Sequence, residues 1–469
     1  MSESNEKTFI EGLVEGGQTA ATGAAPTEGD VVRAMDGYEY TECFIWLSLS
    51  DELPLALDVA KFRAALDAVT APYEAFHLAT RPPLWTRLAC APSACVTEEP
   101  WTARETCERM DPVTPEGGRL WFVTVAAEPA AATATPHTRI TLHACHALAD
   151  GRTLGTMFAV VLHAVLAALA DDAAATAALL AAAPALRALP PLPPPCALCA
   201  YGQRDNYDCA RLPAELLQGG VPRSWRRMHT LDAVLPRITL PDHYVARYAD
   251  YALAPWQAYA ARCAERPSLQ GALIAAETRA LRRYCGLAAD AAVVAEVMYD
   301  TRHTAYATPA MRARAFFCGA GAGFVEVCGR GAWAADIAAC TAALRADAAR
   351  PDTVAMVVQM GAAMDARTGV LRAPEGMPAS FRTNVVVTTH IGRYDGTTAP
   401  RVGVRLACVE NYCVCQYVWT TPTTVHVMYL HPSTVDPAYI QAFHDATAEM
   451  FAFVADATTS SSQQEQQQH

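Results

Sequence analysis

Two hydrophobic periodicities follow one another along the chain, and their order predicts a mixed α/β protein. Residues 38–49 are rich in aromatic and β-branched side chains and read as a strand. Residues 58–69 place Val59, Phe62, Leu66 and Val69 at helical spacing, with Asp58 as the N-cap. A short apolar strand follows at 120–125. Residues 138–145 alternate, with Ile140, Leu142 and Ala144 on one face and Thr141, His143 and Cys145 on the other. A loop then leads into an apolar helix from Thr153.

The second half uses the same vocabulary. A helix over 269–284 precedes a strand at 291–299. Further strands are expected at 383–389, 402–409, 412–419 and 424–430, the last two forming a hairpin across Thr421-Pro422-Thr423. Asp436-Pro437 supplies an N-cap and a first-turn proline for a closing helix through Val454. The central region 201–265 follows neither period clearly.

With 469 residues the chain is long enough for two domains. Residues 1–30 and 456–469 are polar and read as a disordered leader and a disordered tail. Two insertions stand out, 126–136 and 171–195. The second ends in Pro190-Pro191-Leu192-Pro193-Pro194-Pro195, a stiff spacer and the best linker candidate. It divides an N-terminal subdomain, 31–195, from a C-terminal one, 196–455.

Hydrophobic residues make up 52% and charged residues 18%, so substantial cores can form. A net charge of −12 argues against a nucleic-acid partner, which calls for a basic face. The 16 cysteines are scattered, many in apolar runs, and no signal-peptide pattern precedes them. A reducing, cytoplasmic setting follows. Residues 154–170 approach membrane-spanning length, but His163 interrupts them, and a buried core helix is expected rather than a span.

The segment with chemical content is Thr141-Leu142-His143-Ala144-Cys145-His146-Ala147-Leu148-Ala149-Asp150-Gly151. A strand delivers a histidine to its end, a tight turn follows, and Asp-Gly opens a helix. A strand end is a rigid mount, and imidazole takes and returns a proton near neutrality. Asp150 has three open roles: orienting the ring, capping the helix, or anchoring the loop through an arginine elsewhere. The bland alternative is a structural histidine beside an ordinary cap. A Cys145 nucleophile is disfavoured because neighbours along a strand point to opposite faces. A metal site built from His143, Cys145, His146 and the Cys196–Cys199 pair meets the same objection, and no metal is expected.

His146-x-x-x-Asp150-Gly151, between a strand and a helix, resembles the signature of the chloramphenicol-acetyltransferase-like superfamily. That group includes alcohol acetyltransferases, plant acyltransferases of the BAHD type, carnitine acyltransferases and peptide-synthetase condensation domains. Residues 55–69 and 120–125 resemble its first helix and the strand before the motif. Val297-Met298-Tyr299-Asp300-Thr301-Arg302 resembles its strand ending in arginine. Val387-Thr388-Thr389-His390-Ile391-Gly392 resembles the strand that usually ends Ser-Asn-x-Gly.

The resemblance implies two sandwich subdomains forming a pseudo-dimer, with a tunnel between them, in a single monomeric chain. It implies acyl transfer from a thioester, acyl-CoA or carrier-bound, to a hydroxyl or amine of a small-molecule acceptor. No permanently bound cofactor is implied. His146 matches the general base. Asp150 matches the aspartate that holds the loop through an arginine, for which Arg302 is the candidate. Gly151 matches the tight backbone position, and Thr389 a possible oxyanion donor.

Three departures matter. Cys145 replaces a first histidine, no Asp-Phe-Gly-Trp-Gly segment is present, and Thr389-His390 replaces Ser-Asn. They leave room for a rival: a non-catalytic binding protein that kept the fold.

Overall fold

The computed structural model describes residues 31–43, 45–82, 84–111, 118–129, 136–195, 203–217, 243–362, 364–365, 370–371, 386–395, 400–406 and 414–467. The first part runs β1 (Val31–Ala34), α1 (Gly37–Glu42), β2 (Ile45–Leu53), α2 (Val59–Thr70), β3 (Leu78–Arg81), β4 (Leu84–Arg87), β5 (Val96–Glu98), β6 (Cys107–Met110), β7 (Trp121–Ala127), β8 (Thr138–Cys145), α3 (Gly151–Ala168) and α4 (Ala173–Ala182). A short α5 (Ala214–Leu217) leads to β9 (Tyr244–Ala252), α6 (Leu253–Arg262), α7 (Leu269–Tyr284), β10 (Ala292–Asp300), α8 (Pro309–Ala313), β11 (Ala320–Cys328), α9 (Trp333–Ala348) and α10 (Asp352–Ala362). The chain closes with β12 (Met364–Asp365), β13 (Val370–Leu371), β14 (Val386–Arg393), β15 (Arg401–Leu406), β16 (Val414–Thr420), β17 (Thr424–Pro432) and α11 (Pro437–Gln467).

Two large sheets define two lobes. The N-terminal lobe holds a five-stranded sheet in the order β15-β2-β8-β7-β5, and the C-terminal lobe a seven-stranded sheet in the order β11-β10-β14-β16-β17-β9-β6. The lobes exchange strands. β15 comes from the second half but pairs with β2, while β6 comes from the first half and pairs with β9. Neither sheet is therefore contained within a boundary at 195/196.

Local sequence explains the elements that position the site. The Asp58 side chain accepts from the Ala60 and Lys61 amides and starts α2. The last four residues of β8, Leu142 to Cys145, are all buried, His143 and Cys145 included. Ser268 caps α7, which packs against α9 and α11 over the second sheet. The hairpin across residues 421–423 forms with Thr420 opposite Val425.

Residues 38–49 do not form one strand. Asp36 and Glu39 make a reciprocal capping box that starts α1, and β2 begins only at Ile45. Glu39 is pinned further by Arg33 and by the Trp85 indole N–H. The closing helix runs past Val454 and through most of 456–469, to Gln467. The leader 1–30 lies outside the described residues. Helix α3 is long and apolar enough to cross a membrane, yet Leu154, Met157, Phe158, Val160 and Val161 lie in the core of the N-terminal lobe. It packs between α2 and strands β2 and β8.

Candidate active site

β8 ends at Cys145, whose amide donates to the Leu120 carbonyl, and the His146 amide donates to the Ile45 carbonyl, both at 2.8 Å. These bonds fix the backbone of His146 just past a buried strand. Its ring then meets two partners from different elements. Nδ1 lies 2.8 Å from Oε2 of Glu42, the last residue of α1. The same nitrogen is 3.3 Å from Sγ of Cys318, just before β11. With Nδ1–H donating to the carboxylate, the lone pair resides on Nε2.

Burial alone would lower the His146 imidazole. The Cys318 sulfur and the Glu42 carboxylate, both bonded to Nδ1, reverse this and hold it well above the ordinary histidine range. For Cys318 the order differs: burial raises the thiol, and the imidazole offsets only part of the rise. Burial thus holds Cys318 toward the protonated thiol.

Asp150 does not orient His146. One oxygen accepts from the Thr153 amide at 2.9 Å and caps α3. The other accepts from Arg302 Nη1 at 2.6 Å and from the Gly319 amide at 2.7 Å. Burial favours the neutral acid, but Arg302 and the two amides hold the carboxyl below the usual range. Arg302 follows β10, so the pair ties the C-terminal lobe to the N-terminal one. Its Nη2 also donates to Thr153 Oγ1 at 3.0 Å and to the Phe317 carbonyl at 2.8 Å. The guanidinium lies 4.3 Å from the centroid of the Phe317 ring and is 1% exposed. Of the three roles open for Asp150, the structure shows two together, cap and anchor.

Gly151 serves close approach rather than a turn. It opens α3, and a Cβ there would stand 2.4–2.8 Å from Ile391 of β14. Gly155 meets the Tyr394 ring in the same way, at 2.6 Å. Small residues thus let α3 of one lobe abut β14 of the other.

A cavity of about 940 Å³ lies between the lobes. His146, Glu42 and Tyr38 contribute from one side, and Asp300, Arg302 and Thr389 from the other. Thr389 is half-buried on β14, in register with Tyr417 of β16. The remaining candidates lie elsewhere. Cys145 Sγ turns toward the Cys43 carbonyl at 3.7 Å, and His143 stacks on Phe122 at 4.3 Å between centroids. Burial pushes His143 down to about 3, so it stays neutral. Among the described residues no group of three or more His, Cys, Asp or Glu side chains is placed to hold a metal. Cys196 and Cys199 lie outside the described residues.

Glu42 and Cys318 are the site residues that the sequence reading missed. The Asp36-x-x-Glu39 spacing announces α1. Nothing local announces that α1 ends against a histidine 104 positions later.

No protein-family model matches the chain, and no curated protein matches it in sequence. Solved structures do match in shape. Polyketide synthase associated protein 5 from Mycobacterium tuberculosis aligns over 92% of this chain and 100% of its own, with a TM-score of 0.58 at 14% identity. The TRI3 trichothecene 15-O-acetyltransferase from Fusarium sporotrichioides aligns over 90% and 94%, with a TM-score of 0.59 at 11% identity. The epimerization domain from the third module of tyrocidine synthetase B aligns over 92% and 100%, with a TM-score of 0.53 at 12% identity. These likenesses show the fold: a two-lobed α/β architecture shared with these three proteins.

Proposed function

We propose that this protein is an acyltransferase that moves an acyl group from a thioester, acyl-CoA in the first instance, to a hydroxyl or amine of a small-molecule acceptor. The observation that carries the reading is His146, mounted at a strand end on the wall of an interlobe cavity with Nδ1 bonded to Glu42. That bond selects the tautomer whose Nε2 is the base. Nε2 takes the acceptor's proton as its oxygen or nitrogen attacks the thioester carbonyl. The carbonyl oxygen becomes an oxyanion, for which Thr389 or a backbone amide is the candidate donor. Collapse expels the thiolate, to which the imidazolium returns the proton. No covalent enzyme intermediate is required.

Glu42 has a cost and a benefit in this scheme. It stabilises the imidazolium formed during attack, but it also favours the protonated ring at rest. Turnover therefore rises with pH through the raised His146 pKa. Proton transfer of this kind contributes about 10²- to 10⁴-fold, and holding both substrates in one cavity supplies much of the remainder. The test is free-thiol release from a panel of acyl-CoAs with pooled alcohols and amines. Acceptor-dependent release supports the reading, and its absence with every donor favours the binding-protein alternative.

A further inference from the structure

The cavity is not uniform in chemistry. Around His146 and the first turns of α3 it is polar, with Arg152 and Thr156 on its wall, whereas further along α3 it becomes hydrocarbon. Gly155, Phe158, Ala159 and Leu162 all line it, at spacings that share one face of the helix. Residues 189–194 line it as well. This proline run is fastened rather than loose: the Pro190 carbonyl accepts from His163 Nε2 and the Pro193 carbonyl from the Tyr73 hydroxyl, both at 2.9 Å.

The fastening has a chemical consequence. Prolines 190, 191, 193 and 194 have no N–H to offer. Two of their carbonyls are already engaged. A polar ligand passing along this wall finds no backbone donor from those positions, while a hydrocarbon chain calls for none. Leu192, in the middle of the run, is 37% exposed and is the one exposed large hydrophobic among the described residues. A proline-rich wall is also already restricted, so little ordering entropy opposes binding.

We propose that the arm between α3 and the proline run is a subsite for an aliphatic chain carried by one of the substrates. This deepens the acyl-transfer reading and rests on it only for the position of the reacting head group. The chain belongs either to the acyl donor or to an alkyl acceptor, and both present the same chemistry to this wall.

The test is calorimetric titration of the full-length protein and its His146→Ala variant with acetyl-, hexanoyl- and decanoyl-CoA, and separately with 1-hexanol and 1-decanol. Affinity is expected to rise about fourfold for each methylene that enters, in the thioester series or the alcohol series. The series that responds assigns the chain to donor or acceptor. Ala159→Trp fills the arm and should weaken decanoyl binding at least about tenfold more than acetyl binding. Leu192→Asp alters the half-open side without touching the packed core and should flatten the same chain-length slope. No slope in either series, or an unaltered slope in both folded variants, overturns the subsite. A slope without any thiol release from wild type leaves the subsite standing and removes the acyl-transfer reading.

Discussion

Two carboxylates flank the same loop, and they do different work. Asp150 is buried, with both oxygens saturated by Thr153, Arg302 and Gly319, and it joins one lobe to the other. Glu42 sits on the cavity wall and spends its contact on the His146 ring. The sequence motif couples His146 to Asp150, but the geometry couples His146 to Glu42. Proximity along the chain marks the latch, while the carboxylate that meets the His146 ring comes from a distant helix. The two sites should therefore fail differently when broken.

The largest effect belongs to the latch. Arg302→Ala leaves Asp150 charged and buried without its cation, which costs about 3–5 kcal/mol of stability, and Asp150→Ala costs less, because Arg302 keeps the Asp300 carboxylate at 2.9 Å. Urea denaturation should show that loss, with activity falling alongside it. Unchanged stability in either variant would mean that the buried pair does not hold the lobes together.

Glu42→Gln should do the reverse, sparing the fold and altering the chemistry. The amide oxygen can still accept from Nδ1–H, so the tautomer is kept while the charge is lost. The His146 pKa then falls, and the rising limb of kcat/KM against pH moves to lower pH. The plateau should drop about ten- to a hundredfold, less than loss of the base itself. A limb that stays in place would separate Glu42 from the titration of His146.

Gly151→Ala sharpens the contrast between packing and chemistry. Its Cβ would press on Ile391 main-chain and side-chain atoms, costing about 1–3 kcal/mol. A lowered Tm with an unshifted pH profile is the expected result. The smallest effect on turnover is that of Cys318→Ala, which removes a weak hydrogen bond to Nδ1 and one of the groups that raise the imidazole, changing turnover about two- to tenfold and moving the rising limb to lower pH. Intact-mass measurement during turnover should show no acyl adduct on the wild-type protein, and an adduct on Cys318 would replace direct transfer with a two-step route.

Much of this arrangement is legible in the sequence. β8 and α7 have the bounds that alternation and helical spacing predict, because each carries one clear period over its whole length. The strand expected at 38–49 failed because aromatic residues suit helix and strand alike, and the capping box at Asp36 and Glu39 decided for the helix. The proline run was readable as stiff but not as part of the cavity, since its attachment depends on His163 and Tyr73 from elsewhere. The exchange of β6 and β15 between lobes was illegible for the same reason: strand pairing across hundreds of residues leaves no local trace. Glu42 belongs with these long-range facts.

The most direct test of the account is turnover by His146→Ala beside wild type, with one acyl-CoA and one responsive acceptor, and urea denaturation of both proteins. The account predicts that acceptor-dependent thiol release falls by about 10²-fold or more while the unfolding midpoint stays near the wild-type value. Comparable release from a folded His146→Ala protein would contradict it.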